Sequence, residues 1–210
     1  MCNQKMNKIK TIVFDLYNTL IEIKKSNHFF LKLFKTSQDG FGMGSSSYLQ
    51  LVMKNDVEEL KSILPSEFSS LYNERISDLT KELDSIIVYP EVLDVLRDLK
   101  QDFRIFLISN LASPYKKPVF SNNLDQYFEK MIFSCDYRFL KPDNEIFKEI
   151  EKITEDKPNE ILMIGDSLKS DIIGAKNMGW NYLKINRNAP ISKDYEIKDL
   201  NEIKKQIIIL

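Results

Sequence analysis

Four short runs of apolar residues constrain this 210-residue chain more than any other feature: Ile12-Val13-Phe14, Ile105 to Ile108, Met131-Ile132-Phe133 and Ile161 to Ile164. A strand covered on one face alternates apolar and polar side chains, whereas an unbroken apolar run of this length fits a strand buried on both faces of a parallel sheet. Between and after the later runs lie patterns of helical period. Val92, Leu93, Val95, Leu96 and Leu99 share one face; Ile146, Phe147, Ile150 and Ile153 share another, after a start signal at Pro142-Asp143. Ile172, Ile173, Ala175 and Met178 form a third such face, closed by Gly179 as a C-cap. Strand and helix in alternation predict an α/β fold, a doubly wound parallel Rossmann-like sheet.

Residues 22–88 break that rhythm. They lack strand-like runs and carry helical stripes such as Phe68, Leu71, Tyr72, Ile76, Leu79 and Leu83, so residues 1–21 and 89–210 are expected to form the α/β core and 22–88 an inserted α-helical cap. The loop Asp39-Gly40-Phe41-Gly42-Met43-Gly44 has neither a preceding strand nor the lysine of a phosphate loop, and it is expected to be a flexible turn. With 43% hydrophobic and 29% charged residues the chain can bury one core. Its formal net charge of -1 provides no bulk field to recruit nucleic acid or an anionic membrane, so any anion site must be local. Cys2 and Cys135 are too far apart to make a metal-ligand pair or a disulfide framework, as in a reducing compartment. The first apolar stretch is too short for a signal-peptide core, and no run is long enough to cross a bilayer; a cytoplasmic location is expected.

In an open parallel sheet the ligand crevice lies beyond the carboxyl ends of the strands. The residues that follow the four runs are Asp15, then Ser109 with Asn110, then Lys141, then Gly165 with Asp166. A carboxylate nucleophile, a hydroxyl donor, a cation and a second carboxylate for a metal make a coherent set for attack on an anionic ester. In this order, as IVFDLYNTL, FLISN, the KP of FLKPDNEIF and IGDSLKSD, they resemble the four motifs of the haloacid dehalogenase superfamily. The resemblance spans nearly the whole chain, and VYPEVLDVL and the stretch from Gly179 to Arg187 resemble family features as well. Ser109 follows Asp15 by 94 positions, room for the helical cap that the family inserts there, and Asp166 follows Lys141 by 25, room for one helix.

The resemblance implies a hydrolase in which Asp15 attacks the substrate and forms a covalent aspartyl ester. It assigns catalytic roles around Asp15, Tyr17, Ser109 and Lys141, substrate binding to Thr19, Ser109, Asn110 and Lys141, and Mg²⁺ to Asp15, Asp166 and the Tyr17 backbone carbonyl. Asp171 would support that set from behind. The chain departs from the family's phosphatases at one point, with Tyr17 where they carry a second aspartate as acid and base. A phenol of ordinary pKa near ~10 is a poor base at neutrality. Aspartate followed by tyrosine resembles instead the metal-independent 2-haloacid dehalogenases, which tend to have a serine in place of Asp166 and a cap arginine well before Arg75. Asp166 and Asp171 together favour a Mg²⁺-dependent, phosphatase-like enzyme for a small phosphorylated metabolite. The alternatives are a dehalogenase, or a weakened relative that binds a phospho-ligand or partner. Elsewhere, His28 fits the start of a cap helix, Trp180 and Tyr182 fit packing at the last strand, and Lys116 and Lys117 fit a solvated loop.

Overall fold

The computed structural model describes residues 9–209. Six parallel strands form one sheet in the order β5-β4-β1-β6-β7-β8, where β1 is Thr11–Phe14, β4 Arg104–Ser109, β5 Lys130–Phe133, β6 Ile161–Gly165, β7 Asn181–Ile185 and β8 Glu196–Ile197. The two missing numbers are a short antiparallel pair, β2 (Ile21–Ile23) and β3 (Ile86–Val88). Five helices lie between them: α1 (Phe29–Thr36), α2 (Ser45–Lys54), α3 (Val57–Ile63), α4 (Ser66–Glu74) and α5 (Ile76–Asp84). The remaining helices are α6 (Val92–Leu99), α7 (Lys117–Ser121), α8 (Ser134–Tyr137), α9 (Asn144–Thr154), α10 (Ile173–Asn177) and α11 (Ile203–Ile207).

The apolar runs are unbroken because the sheet is covered twice. Along β1, Ile12 and Phe14 enter a cluster with Val92 and Leu96 of α6 and Ile203 of α11. Val13 points the other way, into a cluster with Ile146, Phe147 and Ile150 of α9. Successive residues of a strand face opposite sides, so a strand between two helical layers needs apolar residues at every position. The doubly wound α/β sheet expected from the sequence is therefore the fold found.

The five-helix insertion packs around its own apolar cluster, which includes Phe29, Leu33, Tyr48, Leu60, Phe68 and Leu79. Its two chain ends are fastened together by β2 and β3, paired as Ile21 with Val88 and Ile23 with Ile86. The sequence shows no strand pattern in this segment, since three residues are too few to display a period of two. The stripe from Phe68 to Leu83 is broken at Arg75 into two helices, and Ile76 is exposed there; Leu93, Ile153 and Ile173 likewise point outward from their expected faces. The glycine loop is a defined turn in which Gly40, Phe41 and Gly42 all adopt positive φ and the Phe41 ring plugs the insertion's cluster. Cys135 is buried and unpaired; Cys2 lies outside the described residues. Among the described residues no helix is long and apolar enough to cross a membrane.

Gly174 of α10 lies against the ring of Phe147, where an added Cβ would collide. Alanine is the better helix former by about 1 kcal/mol, but overpacking a filled core costs about 1–3 kcal/mol. Gly174→Ala is therefore expected to lower the unfolding free energy, as measured by urea denaturation. A more stable variant would show that α10 moves off α9 without cost.

Candidate active site

Every strand end named in the sequence converges on one point, and Lys141 is its centre. The Lys141 side chain is almost wholly buried, and its ammonium donates to three acceptors: Asp15 Oδ1 at 2.6 Å, Asp171 Oδ1 at 2.5 Å and the Ile108 carbonyl at 3.0 Å. An ammonium has three protons, and all three are engaged. Lys141 precedes α9, in a loop held by Asn110 just past the end of β4. The Asn110 side chain accepts from the Lys141 backbone N–H at 2.8 Å and donates to its carbonyl at 2.9 Å. The Asn110 amide, expected to bind substrate, is thus engaged with the Lys141 backbone.

Asp15 follows β1, and its backbone N–H donates to the Ile164 carbonyl of β6, which seats the carboxyl between two strand ends. Thr19, also fully buried, reaches Asp15 Oδ2 with a long 3.5 Å hydrogen bond, while the Thr19 carbonyl accepts from the Arg187 guanidinium at 2.7 Å. Arg187 stacks 3.6 Å from the centre of the Tyr89 ring and pairs with Glu91 at 2.7 Å, so the loop after β1 is tied to the loop after β7. Asp166, half-buried, follows β6 and accepts from the Asn18 amide at 3.2 Å. Asn18 was not singled out from the sequence. The usable signal is the residue type, since asparagine tolerates the left-handed region better than most residues, and Asn18 adopts it with a φ of 59°.

Asp171 is fully buried in a turn of π-helix, Leu168–Ile172, and accepts from the Ser167 backbone N–H at 2.9 Å. Gly165 makes this possible, because a Cβ there would occupy the space of the Asp171 carboxyl. Asp15, Asp166 and Asp171 each present a carboxylate oxygen, all within 4.8 Å of one another. Three carboxylates against one ammonium leave excess negative charge in a place of little solvent. Burial, then Asp171 and Asp166, push the Asp15 carboxyl up to about 7 against the opposing pull of Lys141. Burial and Asp171 also raise Asp166. Burial works against the Lys141 charge, but Asp15 and Asp171 outweigh it and push the ammonium up to about 12.

Over Asp15 lies a small cavity of about 170 Å³ whose walls include Ser109, Lys141 and Asp166. Tyr17 and Asn110 also line it, and both reappear in the wall of a larger cavity of about 420 Å³ between the sheet and the five-helix insertion. The Tyr17 hydroxyl is directed away from the small cavity's carboxylates and donates to the Tyr115 carbonyl at 2.9 Å. Burial, with Glu82 and Asp15 adding to it, drives the phenol well above its ordinary range. Of the group expected to be catalytic, Tyr17 is the member whose side chain is engaged elsewhere. His28 is exposed at the start of α1, within 3.3 Å of Ser26. Trp180 packs edge-on to Phe147 and donates to Glu151, away from the crevice, and Lys116 pairs with Asp136.

A doubly wound sheet whose strand ends gather a buried carboxylate, a lysine and two further aspartates defines a hydrolase-type enzyme of the α/β class. The family model for haloacid dehalogenase-like hydrolases matches residues 9–179, and the chain belongs to that family. Among curated relatives it is 26% identical to the glyceraldehyde 3-phosphate phosphatase of Pyrococcus furiosus, over 91% of this chain and 87% of that protein. Among solved structures it resembles the HAD-hydrolase YfnB of Bacillus subtilis bound to magnesium, with a TM-score of 0.67, 20% identity and coverage of 95% of this chain and 99% of the other. It resembles the L-2-haloacid dehalogenase of Xanthobacter autotrophicus equally in fold, with a TM-score of 0.67 at 16% identity over 95% of this chain and 98% of the other.

Charge excess in the cluster has a sign that stability measurements can read. A carboxyl raised from 3.8 to about 7 keeps its proton in the folded protein over a pH range where the unfolded chain releases it. The folded state then binds more protons, and stability falls as pH rises through that window. Asp15→Asn keeps an acceptor for Lys141 and removes one buried negative charge. In metal-free buffer it is expected to melt above the wild type at pH 8, with the difference shrinking toward pH 5. Thermal denaturation across that range is the check.

Proposed function

We propose that the protein is a Mg²⁺-dependent phosphatase of small phosphorylated metabolites, acting through an aspartyl-phosphate on Asp15. The observation that carries this reading is the clustered charge: three carboxylates within reach of one another, with Asp15 and Asp166 both raised, first by burial and then by the neighbouring carboxylates. Hard oxygen donors in such a deficit suit a small divalent cation. Asp15, Asp166 and the Tyr17 backbone carbonyl would hold Mg²⁺, which when bound would neutralise charge on the phosphoryl group. The phosphatase name of the Pyrococcus furiosus relative and the magnesium in the Bacillus subtilis structure support the same choice.

Lys141 and Asp171 orient the nucleophile. With Asp15 Oδ1 held by the ammonium, Oδ2 keeps, among the described residues, the long contact from Thr19 and is the oxygen that attacks phosphorus. Attack forms an oxygen–phosphorus bond as the bond to the leaving oxygen breaks, and the alkoxide takes its proton from solvent because Tyr17 offers none; water then attacks phosphorus, gives up a proton to solvent and restores the carboxylate. Ser109 and Lys141 line the cavity over Asp15, where they stabilise charge on the transferring oxygens. Asn110 acts by fixing the Lys141 loop. Residues 22–88 serve as the cap that covers the site and selects the substrate, and the protein works in the cytoplasm.

The decisive experiment is a screen of phosphate esters with and without Mg²⁺, run beside chloride release from 2-chloropropionate. Phosphate release that requires Mg²⁺ and is lost by at least about a thousandfold in Asp15→Asn supports the proposal. Chloride release without metal would establish the dehalogenase reading, which Tyr17 favours. Product from neither would leave a binding protein.

Tyr17 gives a second test. Because its hydroxyl is committed to the Tyr115 carbonyl, Tyr17→Phe should leave kcat on an aryl phosphate within about threefold of the wild type, unlike loss of a positioned general acid. Tyr17→Asp would supply the carboxylate that family phosphatases carry, and hydrolysis of an alkyl phosphate should rise by up to roughly a hundredfold, more than that of an aryl phosphate. Steady-state rates on the two esters check both variants, and an unchanged alkyl rate in a folded, Mg²⁺-binding Tyr17→Asp protein rules out the missing acid as the limit.

A further inference from the structure

The larger cavity holds a charge that the chemistry at Asp15 does not use. Glu82 of α5 lines it and is only 2% exposed. Its hydrogen-bond partners are neutral: the Ser26 hydroxyl at 3.1 Å, the Phe29 backbone N–H at 3.3 Å and the Tyr115 hydroxyl. Among the described residues it takes part in no ion pair. The Phe29 contact places one oxygen at the first turn of α1, where a negative charge is favoured. That accounts for the residue's tolerance of burial, but not for a cavity built beside it. An aliphatic side chain would cover the same space without burying a charge.

The rest of the wall is aromatic. Tyr17, Phe29, Phe30 and Tyr115 line the same cavity as Glu82. A buried carboxylate outside any ion pair, in a cavity lined by aromatic side chains, suits an ammonium group: the charge pairs with the carboxylate, and aromatic rings attract a cation; His28 lines the same cavity but reaches Ser26 and not Glu82. The location fixes which part of a substrate arrives there. Glu82 lines the larger cavity and not the one over Asp15, while Tyr17 and Asn110 line both. A molecule with its phosphoryl group at Asp15 would pass Tyr17 to reach Glu82, so Glu82 stands at the alcohol end of the ester and not at the reacting phosphorus.

We propose that this cavity is the leaving-group pocket and that Glu82 pairs there with a protonated amine, which makes the substrate a phosphate monoester of a small aminoalcohol. The assignment rests on the phosphatase reading for the placement of the phosphoryl group.

Two phosphonates of matched size test it without turnover: 2-aminoethylphosphonate, which carries the ammonium, and propylphosphonate, which does not. In calorimetry with Mg²⁺ present, the amine should bind the wild type about tenfold to a hundredfold more tightly, the worth of a buried charge-assisted contact. Glu82→Gln retains an acceptor for the Phe29 N–H, so it should fold, and it should erase the preference. Equal affinities in the wild type, failure to bind either, or a preference that survives Glu82→Gln each overturn the assignment. If Glu82→Gln does not fold, the wild-type comparison alone decides. Turnover separates this proposal from the one beneath it. Release of phosphate from propyl phosphate and ethanolamine phosphate at equal kcat/KM leaves the phosphatase standing and sinks the amine pocket, whereas no release from any ester sinks the phosphatase reading itself.

Discussion

The ammonium of Lys141 is the contact on which the site depends. A cation taken out of water costs several kcal/mol unless hydrogen bonds and opposite charges surround it. Here the return is complete: two carboxylates and a backbone carbonyl accept its three protons. The neighbouring features follow from that need. Asn110 clamps the Lys141 backbone from both sides, Gly165 vacates the volume that the Asp171 carboxyl fills, and a π-helical turn places Asp171 in it.

The same arrangement explains why the cluster sits where it does. β1 lies between β4 and β6, so the residue after it has a strand end on either side. Asp15 borrows the Ile164 carbonyl of β6 to fix its backbone, and Lys141 borrows the Ile108 carbonyl of β4. Backbone groups at strand ends lack sheet partners and need others. Here they are satisfied by the functional residues themselves, so rigidity of the sheet passes directly into the geometry of the site.

Much of this was legible in the sequence because two-sided burial leaves a mark that single residues cannot hide. Unbroken apolar runs gave four of the six sheet strands, and the residues just past three of them gave Asp15, Ser109 and Asp166, while Lys141, farther beyond its run, was marked by the KP motif. What escaped has physical reasons. β2 and β3 are too short to show a period, and Leu93, Ile153 and Ile173 satisfy a helical stripe in sequence while pointing into solvent. Asn18 and Asn110 act through backbone conformation and backbone hydrogen bonds, which composition does not report. For Tyr17 the sequence showed what the residue lacks, a carboxylate. It could not show that the phenol turns toward Tyr115, because that depends on a loop nearly a hundred residues away.

That turn of Tyr17 also reorganises the crevice. A short acid at this position would project toward the reacting group; the longer phenol, anchored on the Tyr115 carbonyl and packed edge-on against its ring at 6.0 Å, becomes part of the wall of both cavities. The small one contains charge and hydroxyl groups, while the larger is apolar apart from a few groups, with Glu82 the buried acid among them. The division follows the chain. Strand-end loops supply the polar cavity, and residues from the five-helix insertion supply most of the apolar one. Bond-breaking and recognition can then vary separately, since substitutions in the insertion alter the second cavity without disturbing the lysine that organises the first. Tyr17 and Asn110 are the exceptions, because they line both cavities, and a change at either position is felt on both sides.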